Sequence, residues 1–166
     1  MDLRALRILI VDDNRNAAEI VRSILQSVGA HDIGDAATAD RAFKLVKERN
    51  YDMLIVDQNL GEGDEGIKLV KRIRTGPGTP NPYLPILMLT GYTEQRRVQA
   101  ARDAGVNEFL SKPFNIVGLL KRIDALIYQP RPFVKSDAYF GPDRRRRADP
   151  DYKGPERRRD LKTAAD

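Results

Sequence analysis

The chain has 166 residues, 41% of them hydrophobic, and a formal net charge of +5, which suits one ordinary domain plus additional sequence. It contains no cysteine and a single histidine, His31, so disulfides, thiolate metal sites and histidine-rich zinc sites are excluded, and His31 is expected on the surface. The apolar runs are no longer than strands and Met1-Asp2-Leu3-Arg4 lacks the apolar core of a signal peptide, so membrane insertion is not expected and the expected setting is the cytoplasm.

Five short apolar runs recur along the chain: Arg7–Val11, Ile33–Ala36, Met53–Val56, Ile86–Leu89 and Glu108–Leu110. Helical periodicity lies between them. Ala17, Ile20, Val21, Ile24, Leu25 and Val28 repeat at three and four residues, and Gly29 ends that helix. Phe43, Leu45 and Val46 mark a second helix, and Ile67, Leu69, Val70 and Ile73 a third. Val98, Ala101 and Ala104 mark a fourth, ended by Gly105. Ile116, Leu119, Leu120, Ile123 and Leu126 mark a fifth, with Asn115 as N-cap. The stretch Thr75 to Pro82 reads as an exposed loop, and Lys68, Lys71, Arg72 and Arg74 read as a solvated helix face. Strand alternating with helix five times predicts an α/β fold, a parallel sheet covered on both faces. Ligands of such sheets sit beyond the carboxyl ends of the strands.

The polar residues of interest follow the strands. Asp12 and Asp13 come after the first run, Asp57 after the third, Thr90 after the fourth and Lys112 after the fifth. Three carboxylates converging on one sheet edge repel one another unless a cation is present, and hard oxygens suit Mg²⁺. A carboxylate is a competent nucleophile toward phosphorus, while a hydroxyl and an ammonium can hold phosphoryl oxygens.

Val11-Asp12-Asp13-Asn14, Ile55-Val56-Asp57, Leu89-Thr90-Gly91 and Ser111-Lys112-Pro113-Phe114 together resemble the motifs of CheY-like response-regulator receivers over about residues 6–128. The resemblance implies a flavodoxin-like (βα)5 fold with strand order 2-1-3-4-5. It implies that Asp57 is phosphorylated by a histidine kinase or phosphotransfer protein. Mg²⁺ would be bound by Asp13, Asp57 and the backbone carbonyl of Asn59, with Asp12 acting through water. Thr90 and Lys112 would contact the phosphoryl group, Phe109 would be the switch aromatic, and a cis peptide would precede Pro113. The chain departs from the family at Leu60-Gly61, where Met-Pro is usual, and in the glycine-rich acidic loop from Gly61 to Gly66.

After residue 128 the pattern stops. Residues 129–166 carry 11 Lys/Arg against 7 Asp/Glu, few aliphatics and much Pro and Gly, so this extension is expected to be largely irregular and disordered without a ligand. It contains a near-repeat. Tyr139-Phe140-Gly141-Pro142-Asp143-Arg144-Arg145-Arg146 is echoed by Tyr152-Lys153-Gly154-Pro155-Glu156-Arg157-Arg158-Arg159, and Arg146/Asp149 and Arg157/Asp160 share a spacing. Arginine forks the guanine edge, stacks on its face and neutralises phosphate; aspartate accepts from guanine N–H groups; tyrosine is a stacking plate. A ligand bearing guanines and phosphates uses every element of the repeat; cyclic di-GMP is one, and its self-stacked dimer would suit two repeats.

An arginine-rich extension on a receiver resembles the Cle family, CheY-like effectors of cyclic di-GMP. That resemblance implies dinucleotide contacts from Tyr139, Asp143, Arg144, Arg145, Arg146, Arg147, Asp149, Tyr152, Arg157, Arg158 and Arg159, and action on the flagellar motor switch. The expected function is a non-enzymatic signalling adaptor joining phosphorylation at Asp57 to dinucleotide binding at the tail. The alternative is a phosphorylation-controlled receiver or phosphate shuttle whose basic tail docks nucleic acid or protein without cyclic di-GMP. No helix-turn-helix or catalytic domain fits in the tail, so DNA-binding output is not expected.

Overall fold

The computed structural model describes residues 3–61, 63–91, 95–144 and 162–163. Strands β1 (Arg7–Val11), β2 (Asp32–Ala36), β3 (Met53–Asp57), β4 (Ile86–Thr90) and β5 (Glu108–Ser111) form one parallel sheet in the order β2-β1-β3-β4-β5. Helices α1 (Arg15–Ser27), α2 (Ala39–Glu48), α3 (Glu65–Thr75), α4 (Gln95–Asp103) and α5 (Ile116–Tyr128) connect and cover it. Fold class and strand order are those implied by the family resemblance.

The central strands are apolar on both faces because both faces are covered. Leu9, Val11, Leu54, Val56, Ile86 and Met88 join the core formed with α2, α3 and α4. Their neighbours Ile8, Ile10, Met53, Ile55, Leu87 and Leu89 join the core with α1 and α5. Each such side chain contributes roughly 1.5–3 kcal/mol on burial, and a one-residue slip of any strand would exchange the two cores. Asn14 and Asn115 cap α1 and α5 by accepting from Ala17 N and Gly118 N, an arrangement that stabilises a helix by about 1 kcal/mol. Among the described residues no helix is long and apolar enough to cross a membrane.

The extension departs from irregular chain. Strands β6 (Phe133–Ser136) and β7 (Tyr139–Pro142) make an antiparallel hairpin around Asp137-Ala138, and β8 (Lys162–Thr163) pairs with the other side of β6. The hairpin packs on the receiver through an aromatic cluster. Tyr83 meets Phe133 and Phe140 edge-on with centroids 5.0 and 5.3 Å apart, and the two phenylalanines are 5.6 Å apart. Composition gave no element here because the core that these residues join belongs to another part of the chain.

Arg74 is a related correction. Lys68, Lys71 and Arg72 are exposed as expected, but Arg74 is only 3% exposed. Its guanidinium donates to Gly105 O at 2.9 Å, Pro82 O at 2.8 Å and Asn107 Oδ1 at 2.8 Å, and lies 5.1 Å from the Phe133 ring. Position 74 lies on the buried side of α3, next to Ile73, and the hairpin covers what the helix alone would leave open.

Candidate functional site

The sheet register brings the strand-end residues to one edge. Asp12 follows β1 and its N–H bonds Ala36 O at 3.1 Å. Asp57 ends β3 opposite Leu89, and Thr90 ends β4 opposite Ser111. Lys112 follows β5, its N–H donating to Thr90 O at 2.7 Å, and its peptide bond to Pro113 is cis. Asp12, Asp57 and Thr90 are buried, whereas Asp13 is exposed.

The Lys112 Nζ bridges two carboxylates, 3.3 Å from Asp12 Oδ2 and 3.2 Å from Asp57 Oδ1. One oxygen from each of Asp12, Asp13 and Asp57 lies within 4.8 Å of the others, and no other group of three potential ligands gathers in this way among the described residues. Burial pushes the Asp12 carboxyl above the ordinary carboxylate value. The Asn14 N–H, donating to Asp12 Oδ1 at 2.8 Å, and the Lys112 charge oppose that rise, and the neighbouring Asp57 charge adds to it. Three carboxylates facing one ammonium leave excess negative charge in a partly dry pocket, the electrostatic setting in which a divalent cation binds oxygen ligands.

The departures after Asp57 have definite conformations. Leu60 is 1% exposed and packs in the α2–α3–α4 core. Gly61 has φ +63° and its N–H donates to Asp13 Oδ2 at 3.1 Å, so the glycine turns the loop back toward the acidic cluster. Gly66, in the first turn of α3, packs against the strand end that carries the site, where a Cβ would lie 2.1 Å from Asp57 O. No larger residue fits without moving the backbone that carries Asp57. Asn59 is half-buried in the same loop. Gln58, which the sequence reading passed over, is fully buried, and its side-chain amide has no hydrogen-bond partner among the described residues.

Phe109, on β5, is partly buried against the α2–α3–α4 core. With Thr90 it lines a cleft of about 640 Å³ that also reaches Tyr139 and Arg144 of the extension. Three of the tail residues singled out from the sequence are described. The Tyr139 hydroxyl donates to Pro142 O at 2.8 Å, and the Arg144 guanidinium sits 4.1 Å above the Tyr139 ring. Asp143 is tied by its backbone, its N–H to Pro132 O at 2.7 Å and its carbonyl accepting from Arg131 at 2.9 Å. Arg144 also pairs with Asp103 of α4 at 2.9 Å, a partner that no local sequence pattern announces. Arg145, Arg146, Arg147, Asp149, Tyr152, Arg157, Arg158 and Arg159 lie outside the described residues.

Comparison with known proteins returns the same module. Residues 8–124 match the model of the response regulator receiver domain. Chemotaxis protein CheY-3 of Vibrio cholerae is 31% identical over 121 residues, covering 73% of this chain and 91% of that protein. The structure of Vibrio cholerae CheY4 superposes with a TM-score of 0.66 at 30% identity, covering 74% of this chain and 98% of that one. The receiver domain of the sensor histidine kinase PA1611 from Pseudomonas aeruginosa, solved with a magnesium ion coordinated in its active-site cleft, gives a TM-score of 0.63 at 26% identity over 72% of this chain and 94% of that one.

Proposed function

Because this chain belongs to the response regulator receiver domain family, matched over residues 8–124, we propose that Asp57 is its phosphoacceptor and that the donor is a histidine kinase or phosphotransfer protein. The observation that carries this reading is the Lys112 ammonium held 3.2 Å from Asp57 and 3.3 Å from Asp12. An Asp57 carboxylate oxygen attacks the phosphorus of a phosphohistidine, the P–N bond breaks, and its electron pair leaves on the imidazole. Lys112 and the Thr90 hydroxyl hold the incoming phosphoryl oxygens. The acidic cluster fits Mg²⁺: Asp13, Asp57 and the Asn59 carbonyl would hold it directly and Asp12 through water, and the ion would supply charge neutralisation for the transferred group. Phe109, on the strand next to Thr90, registers the change. Incubation with acetyl phosphate and Mg²⁺ adds one phosphoryl group by intact mass, and Asp57→Asn removes that addition. Unchanged labelling of the variant refutes the assignment.

The second half of the reading concerns the extension. Its repeated Tyr-x-Gly-Pro-acid-Arg-Arg-Arg pattern and the stacking of Arg144 on Tyr139 support binding of cyclic di-GMP, as in the Cle family. The ligand would couple the receiver to a protein target, the flagellar motor switch, in the cytoplasm. The chain then acts as an adaptor rather than as an enzyme. Calorimetry with cyclic di-GMP yields binding heat for the wild type and little for an Arg144/Arg145→Ala variant; no heat with the wild type sinks this half of the reading.

A further inference from the structure

The cleft that begins at Thr90 and Phe109 is walled on one side by α4, β5 and α5 and on the other by the extension. Four guanidiniums line it, from Arg102, Arg122, Arg131 and Arg144. They come from separate elements: α4, α5, the segment after α5, and the residues just beyond β7. Among the described residues the carboxylates paired with them are fewer. Glu108 is shared by Arg122 at 3.1 Å and Arg131 at 3.8 Å, and Asp103 takes Arg144. Arg102 donates to a carbonyl, Arg144 O, at 3.4 Å. One carboxylate shared by two guanidiniums and one guanidinium on a neutral acceptor leave the cleft electropositive. Arg144 Nε is buried with no hydrogen-bond partner among the described residues, and the Tyr139 ring offers a flat surface beside it.

We infer that this cleft, and not the arginine-rich tail alone, is the seat of the dinucleotide, with Arg102 and Arg122 of the receiver binding its phosphates opposite Arg144 and Tyr139 of the extension. The inference rests on the reading that the chain binds cyclic di-GMP and adds receiver residues to that site. The volume suits it, because ligand pockets run from about 300 to 1,000 Å³. The charge suits it as well, since arginine forks bind phosphate oxygens in pairs and stack on purine faces. A basic polypeptide is disfavoured by the same cations. Binding draws Arg144 toward the ligand and away from Asp103, which releases α4 from the hairpin. Thr90 and Phe109 also line the cleft, so the ligand reaches the residues proposed to respond to Asp57.

The test is a calorimetric titration of the full chain with cyclic di-GMP. An Arg102→Ala/Arg122→Ala variant, checked for folding by circular dichroism, is compared with wild type and with an Arg41→Ala/Lys44→Ala control that removes equal charge from exposed α2. The cleft variant is expected to bind at least about tenfold more weakly, the loss of charge-assisted hydrogen bonds, while the control stays near wild type. In labelled wild type the amide signals of Thr90 and Phe109 shift on titration. Equal binding by the cleft variant and wild type overturns the cleft alone and leaves the tail as the site. Equal weakening in the control overturns it too, by reducing the effect to net charge. No binding by wild type overturns both the cleft and the dinucleotide reading.

Discussion

A guanidinium at 3% exposure needs acceptors on several sides, and Arg74 has them in two backbone carbonyls and the Asn107 amide. Burial pushes its pKa down to about 9, which still leaves the side chain protonated at neutral pH. Arg74→Leu removes three charge-assisted hydrogen bonds at once and strands their acceptors. A loss of about 3 kcal/mol is expected, measured by urea denaturation. Tyr139 offers a pH reading of the same region. Burial raises its phenol above the usual value of 10.0 against the opposing pull of nearby arginines, Arg144 foremost. A group raised in the folded state contributes stability that is full below its unfolded pKa and is lost as pH rises through its folded pKa. The phenol seen in the ultraviolet difference between wild type and Tyr139→Phe is therefore expected to ionise above pH 10, and the stability difference between the two proteins to shrink across that range.

At the scale of elements, the five strands and helices were legible because each carries its own periodicity, and the site because chemistry-bearing residues sit directly after buried strands. Asp12, Asp57, Thr90 and Lys112 needed only the topology of a parallel sheet to be brought together. The hairpin was not legible. Phe133, Val134, Tyr139 and Phe140 are a small apolar set in basic surroundings, and the two phenylalanines are held by Tyr83 and Arg74, fifty or more residues earlier. The same non-locality hid Arg74, whose charge fits a solvated face until a later segment covers it. If β6 and β7 complete the receiver's core, truncation after Gln129 destabilises residues 1–129 by about 2 kcal/mol, the apolar burial of roughly one or two aromatic side chains. Matching denaturation curves for the truncated and full chains would show instead that the hairpin rests on the receiver without supporting it.

For the whole molecule, two regions of opposite sign stand out: the acidic cluster of Asp12, Asp13 and Asp57, and the cleft lined by Arg102, Arg122, Arg131 and Arg144. A divalent cation would relieve the acidic cluster. At Mg²⁺ concentrations a hundredfold above its dissociation constant, thermal stability should rise by about 2.7 kcal/mol over a chelator control. Asp13→Asn, which removes one carboxylate from the cluster, should cut that increment sharply in the same melting experiment.

Thr90 lines the wall of the space that Arg144 also lines, and this continuity has a thermodynamic consequence. If Asp57 is phosphorylated and the dinucleotide binds as proposed, both events alter one shared set of contacts and are linked, and linkage is reciprocal: whatever factor phosphorylation applies to dinucleotide affinity, the dinucleotide must apply to the phosphorylation equilibrium. Titrating the phosphorylated and unphosphorylated chain with cyclic di-GMP measures that factor, expected to differ from unity by roughly fivefold or more. The protein would then have no fixed order of input and output. Either signal could serve as the message and the other as its gain.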